Sequence, residues 1–309
     1  MPGVRLGHWT DEQARTGCSV VVLPAGTVAS GEVRGGAPGT REWALLDPRR
    51  TVDRVNAIVL AGGSAFGLAA CDGVMRWCEE RGIGWPTPAG PVPIVVGMVL
   101  FDLAVGDPSV RPTAAHGYAA CQSALPGDEA AGSGPIGAGA GATVGKWRGP
   151  GAARPAGLGS AVARNGDLIV AAMVAANAVG DPLPDTGPGL GRPRVPPSPL
   201  PLSAGSAPSA SSVPPPGSPG SPLEATTIGV IITNAAIDKL GCRMLAEAGH
   251  DGLARSLDPV HTSADGDALV AAATGVVGAS PVVVRSLAAW VVEQAVADAV
   301  AGPSSGGRL

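Results

Sequence analysis

The feature that most constrains this chain is a break in its composition. Residues 182–223 hold 14 of the 31 prolines, with Ser, Gly and Ala filling most of the gaps. Such a stretch buries too little apolar surface to offset the entropy of ordering it, so it reads as a disordered linker. Only 309 − 223 = 86 residues follow it. They read as a strand (227–233, TIGVIIT), a helix (about 236–256), a short strand (about 268–272) and a last helix. In that last helix Val284, Leu287, Ala288, Val291, Val292 and Ala295 share one stripe. Two strands and two helices are marginal on their own. The tail is therefore expected to pack into the sheet of the first part, giving one α/β domain over 1–309 interrupted by a loop.

The first part alternates strands and helices. CSVVVL (18–23) and NAIVLA (56–61) are short apolar runs suited to buried strands. GGSAFG (62–67) turns the chain into a helix over 68–80. There Leu68, Cys71, Val74, Met75 and Cys78 recur at helical spacing before Gly82 stops it. VPIVV (92–96) reads as extended. Residues 157–176 read as two strands joined at Arg164-Asn165-Gly166-Asp167, since Asn-Gly is a strong hairpin signal.

Several function classes fall away on composition. Charged residues are 15% of the chain, the formal net charge is −4, and six Trp, one Tyr and two Phe are all its aromatics. A nucleic-acid groove needs basic stripes and stacking platforms that such a chain lacks. No apolar run reaches membrane-spanning length, and MPGVRLGHWTDE has no secretory apolar core, so a cytoplasmic protein without a membrane partner is expected. The five cysteines form no CxxC pair, and Cys71 and Cys78 lie on one helical face, as core residues do. His8, His116, His250 and His261 show no metal-ligand spacing, so neither a metal nor a cofactor is implied.

Three motif matches fail on their details. Gly132–Gly137 fits GxGxxG but has no clear strand before it and Pro135 inside it. GAGAGATVGK (137–146) resembles a phosphate loop, yet Ala140 replaces its first glycine and Trp147 its magnesium-binding hydroxyl. GGSAFG lacks the glycine that a nucleophile elbow needs two residues after Ser64. Taken alone, Asp265-Gly266-Asp267 reads as a solvated turn, Thr226 as a strand residue, Asn177 as a turn former and Lys146 as a surface charge.

Longer stretches change that reading. GVRLGHWTD (3–11), VRGGAPGTRE (33–42), IVLAGGSAFGLAACDGV (58–74), FDLAVGD (101–107), GAGAGATVGKWRGPG (137–151), GLGSA (157–161), AANAVGD (175–181), TTIGVIITNA (226–235) and PVHTSADGD (259–267) occur in this order. In them the chain resembles the L-aminopeptidase/D-esterase (DmpA-type) family of self-processing N-terminal-nucleophile hydrolases. The 182–223 insert and the chain ends fall outside the resemblance.

The resemblance implies an αββα four-layer sandwich, shared with the ornithine acetyltransferases, and a chain that cuts itself before a Ser or Thr. That residue becomes both new N-terminus and nucleophile. It maps to Thr226, with the cut after Ala225, dividing 1–225 from 226–309. Relatives carry Asn or Gly before the nucleophile; Ala225 departs from both and is likewise small. Asp265 and Asp267 match the Asp pair of the nylon-oligomer hydrolase branch, and Asn177 and Lys146 match its remaining active-site positions. The esterase branch has Ser, Glu and Tyr at the pair and the lysine, so this chain sits nearer the nylon-hydrolase type.

The implied roles are chemically coherent. A Thr hydroxyl needs a base, which the freed α-amine supplies. The Asp pair would orient the hydroxyl and tune that amine, the Asn177 amide would donate to the oxyanion, and Lys146 would add charge there. An aminopeptidase acting on short peptides, amides or esters is implied, as a homo-oligomer, tetramers especially. An acyltransferase of the ornithine acetyltransferase type is one alternative. An unprocessed, non-catalytic scaffold is the other, resting on Ala225.

Overall fold

The computed structural model describes residues 1–127, 132–183 and 225–301. Apart from Pro182 and Leu183, the expected linker lies outside them. Ten strands of three or more residues occur among the described residues. The first six are β1 (Arg5–Asp11), β2 (Thr16–Val22), β3 (Val28–Val33), β4 (Gly39–Arg41), β5 (Ala57–Ala61) and β6 (Val95–Val99). The others are β7 (Leu158–Asn165), β8 (Leu168–Ala175), β9 (Ile228–Ala235) and β10 (Ala268–Val277). Four α-helices accompany them: α1 (Ala70–Glu79), α2 (Ala114–Gln122), α3 (Lys239–Ser256) and α4 (Pro281–Val300).

The first sheet runs β4-β6-β5-β2-β1, with the short strand Leu125–Pro126 beyond β1. The second runs β7-β8-β9-β10-β3. Each contains one parallel pair, β5 with β6 and β9 with β10; the other pairs are antiparallel. The second sheet thus inserts the two tail strands between β8 and β3 from the first part. The tail completes a sheet that neither segment builds alone, as its size requires.

Side chains alternate across each strand, so each sheet feeds two cores. Ile58 and Leu60 of β5 share a core with Val230 and Ile232 of β9 and Val270 of β10. On the outer face of the first sheet, Val59 and Ala61 pack with Cys71, Val74 and Cys78 of α1 and Cys121 of α2. On the outer face of the second, Ile231 and Leu269 pack with Leu245 of α3 and Val284, Val291 and Val292 of α4. Helices therefore cover the outer faces while the two sheets meet in the middle. Each fully buried Val, Leu or Ile contributes roughly 1.5–3 kcal/mol.

Departures from the sequence expectations have local causes. Gly63 and Ser64 both take left-handed φ, 78° and 54°, so the chain makes a 3-10 turn over Ser64–Ala69 before α1 begins. The extended run expected at 92–96 is strand only from Val95; Val92 instead bridges Trp85. β10 continues past 272 because its far end pairs Val277 with Ala235. Strands β1 and β3 give no clear apolar run because polar residues interrupt them; Ser30 of β3 is buried by donating to Leu46 O at 2.6 Å. The linker starts later than its composition implies. Pro182 pairs with Leu257, and Leu183 N–H donates to Ser256 O at 2.7 Å. In the GxGxxG run, Gly137 opens a single 3-10 turn, Gly137–Gly139, and no α-helix.

Candidate active site

Three strand registers bring the chemistry to one end of the second sheet. Ile228 pairs with Ala175 of antiparallel β8 and with Ala268 of parallel β10, and Ala268 pairs with Val33 of antiparallel β3. Continuing each ladder by two residues sets Asn177 beside Thr226, Gly266 beyond Thr226, and Gly35 beyond Gly266. The hydrogen bonds follow that extension. Thr226 N–H donates to Asn177 O at 2.8 Å, Gly266 N–H to Ala225 O at 3.0 Å, and Ala268 N–H to Thr227 O at 3.1 Å.

Ala225 and Thr226 are both buried. The Thr226 hydroxyl lies against the preceding peptide and donates to Ala225 O. The scissile carbonyl of the sequence reading thus receives two donors, its own neighbour's hydroxyl and the Gly266 N–H. The second is simply the next rung of the parallel ladder.

Asp265 and Asp267 are buried on either side of Gly266. Asp265 accepts from Val179 N–H at 3.1 Å and from the N–H and hydroxyl of Thr262 at 2.9 and 2.6 Å. Asp267 accepts from Thr227 N–H at 2.7 Å, and from His261 through N–H at 3.1 Å and Nδ1 at 2.8 Å. Burial, and then the nearby Asp267 charge, push the Asp265 pKa up. Among the described residues neither carboxylate is hydrogen-bonded to the Thr226 hydroxyl. The pair clamps backbone amides around Thr226, those of Val179, Thr227, His261 and Thr262.

Lys146 and Asn177 form the opposite wall. Lys146 Nζ donates to Asn177 Oδ1 at 2.8 Å and Asn177 O at 3.2 Å, the latter being the carbonyl that Thr226 N–H also reaches. Burial pushes the Lys146 pKa down to about 7, against the pull of Asp265 and Asp267. Asn177 Nδ2 donates to Phe101 O at 2.8 Å, and Ala225 O receives the Gly266 N–H.

Other residues of the site carry no chemical signature in the sequence. A Cβ on Gly35 would fall 2.3 Å from Asp265 O and 2.4 Å from Asp267 N, so only glycine lets β3 run beneath the Asp265–Asp267 turn. Asp181 accepts Trp147 Nε1 at 2.7 Å and pairs with Arg148 and Arg154 at 2.7 and 2.9 Å, fixing the segment that carries Lys146. No group of three or more His, Cys, Asp or Glu among the described residues could hold a metal ion. No helix among them is long and apolar enough to cross a membrane.

His250 of α3 underlies this end of the sheet and sets a pH dependence. Burial, then His261, Arg34 and Arg243, push its pKa down to about 3 while Asp267 opposes them. The unfolded chain takes up a proton near pH 6.5 that the folded chain refuses until about pH 3. The stability is present above pH 6.5 and is lost as pH falls through that window, by about 1.4 kcal/mol per unit. Urea midpoints from pH 7 to 4.5 should therefore fall more steeply for the native chain than for His250→Leu. Parallel slopes would show that His250 is not the group responsible.

Residues 1–303 match peptidase family S58. A protein of Mycobacterium leprae (strain TN), described as an uncharacterised aminopeptidase, is 43% identical over 306 residues, 90% of this chain and 78% of that one. A 6-aminohexanoate-oligomer endohydrolase of Agromyces sp. (strain KY5R) is 32% identical over 285 residues, 88% and 73% of the two chains. A solved L-aminopeptidase D-Ala-esterase/amidase of Ochrobactrum anthropi, described as a variant of the Ntn hydrolase fold, has a TM-score of 0.69. It is 19% identical, covering 100% of this chain and 86% of that one, a likeness that speaks for the fold.

Proposed function

The chain belongs to peptidase family S58, and from that premise we propose that it is an aminopeptidase that cuts itself before Thr226 and then uses Thr226 as its nucleophile. The observation that carries this reading is the Thr226 hydroxyl set against an Ala225 carbonyl already held by the Gly266 N–H.

In the uncut chain the Thr226 nitrogen is an amide and cannot act as base. Lys146, with a pKa about 7 and bound to the same Asn177 carbonyl as Thr226 N–H, is the base available. As the hydroxyl gives up its proton, Oγ1 attacks the Ala225 carbonyl carbon. Charge developing on the carbonyl oxygen falls on the Gly266 N–H. The C–N bond breaks, the nitrogen takes a proton, and Ala225 is left esterified to Oγ1. Water opens the ester, leaving an Ala225 carboxylate and a free Thr226.

The mature residue then carries its own base, an α-amine with a pKa of roughly 7.7–8.0. Asn177 Nδ2 has two hydrogens and gives one to Phe101 O; the second is the donor this reading assigns to the substrate oxyanion. Asp265 and Asp267 favour positive charge beside the new amine. On this reading 1–309 is a single self-processing domain of 1–225 and 226–309. It works in the cytoplasm as a homo-oligomer, tetramer first, and exposed Val276, Val282 and Trp290 offer apolar surface for assembly.

An aminopeptidase recognises a free terminal ammonium, and the buried carboxylate pair favours one. The expected kcat/KM for an aminoacyl-nitroanilide therefore exceeds that for its N-acetyl twin by about ten- to a hundredfold. Equal rates would favour internal amide cleavage, the activity named for the Agromyces relative.

A further inference from the structure

His261 has no place in the chemistry above, yet it is tied to the nucleophile through one carboxylate. Its backbone N–H and its ring Nδ1 both reach Asp267 Oδ2, at 3.1 and 2.8 Å. The other oxygen of that carboxylate receives Thr227 N–H at 2.7 Å, the amide that follows the nucleophile. Two donors from one residue converge on one atom because His261 takes a left-handed φ of 55°. Few side chains tolerate that conformation, Asn among them.

The ring is fixed from its far side as well. His250 packs against it edge-on, with centroids 4.8 Å apart and planes at 68°. His250 is itself anchored by Nε2, which lies 3.0 Å from the Glu32 carbonyl and must donate to it. A carboxylate oxygen accepts, so Nδ1 of His261 is the donor. Its Nε2 is buried and has no hydrogen-bond partner among the described residues.

We infer that His261 is a positioning residue: its Nδ1–H and N–H aim Asp267 at the Thr227 amide, and so set the peptide plane from which the Thr226 side chain springs. The inference rests on Thr226 being the nucleophile. Asp267 held at one oxygen by two donors resists swinging, and so keeps the Thr226–Thr227 peptide in the plane from which Oγ1 reaches Ala225 C=O.

The test compares two amide replacements of the ring. In His261→Asn the side-chain Nδ2 would occupy the place of the ring Nδ1, on a residue that accepts the left-handed backbone. In His261→Gln the amide would instead lie near the Nε2 position. Full-length chain is made by cell-free translation and its cleavage before Thr226 is followed by electrophoresis. His261→Asn should cut within a few-fold of the native rate. His261→Gln and His261→Ala should be slower by about ten- to a hundredfold. A second readout is hydrogen exchange at the Thr227 amide, expected to quicken in His261→Gln and to stay protected in His261→Asn. A Gln variant that cuts at the native rate, or an Asn variant as slow as Ala in a folded chain, would overturn the inference. If the native chain is never cut before Thr226, the nucleophile assignment falls, while Thr227 exchange still decides what His261 holds.

Discussion

Thr226→Ala is expected to remain one chain of 309 residues, where the native protein is expected to separate into pieces of 225 and 309 − 225 = 84 residues. The variant keeps the Ala225–Thr226 backbone bonds to Asn177 O and Gly266 N–H, so the peptide stays where it was. What disappears is the one hydroxyl lying against the Ala225 carbonyl. Covalent catalysis that loses its nucleophile slows by at least about 10⁴-fold, which leaves no cut bond on a laboratory timescale. Thr227 cannot stand in for it. Successive side chains on a strand face opposite ways, and the Thr227 N–H is held by Asp267. Thr226→Ser keeps the oxygen and should still be cut. N-terminal sequencing of the small fragment and electrophoresis of the variant decide the matter. Cleavage of Thr226→Ala at the same bond would remove Thr226 from the mechanism.

Gly266→Ala should slow self-cleavage by about 10²- to 10³-fold, the usual worth of one oxyanion donor. Gly266 has no left-handed φ, so alanine is acceptable to its backbone. The difficulty is space. A Cβ would fall 2.5 Å from Ala37 O and 2.7 Å from Thr226 Oγ1. Ala37 is pinned by its own N–H to Asp265 O at 2.8 Å, and gives way poorly. Either Oγ1 moves off the Ala225 carbonyl, or the Gly266 N–H loses its aim at the carbonyl oxygen. The half-time of processing, followed beside circular dichroism to show that the fold persists, measures the effect. Processing at the native rate would refute the assignment of Gly266 to the oxyanion.

Much of the fold is legible in local patterns. The apolar runs that become β2, β5 and β9, the Asn-Gly turn between β7 and β8, and the helical spacing in α1 and α4 all depend on near neighbours. The strands without a local signal, β1 and β3, are polar at positions where a distant partner satisfies the polar group, as Leu46 O does for Ser30.

The site divides along the same line. Thr226, Asp265, Asp267, Asn177 and Lys146 can be picked out only because long stretches resemble a family; singly each reads as turn, strand or surface. What those groups touch is decided by tertiary structure. The Asp pair holds amides and not the hydroxyl, the Asn177 amide serves Phe101 O, and a glycine N–H with no side-chain signature meets the Ala225 carbonyl. The Lys146 pKa is pushed down to about 7 because the fold buries it. The physical reason is register. A residue type can be read from sequence, but which backbone amide faces which carbonyl depends on how β8, β9, β10 and β3 align. Those strands come from separate parts of the chain, and a shift of one residue in either ladder that β9 makes, with β8 or with β10, would turn Thr226 to the other face.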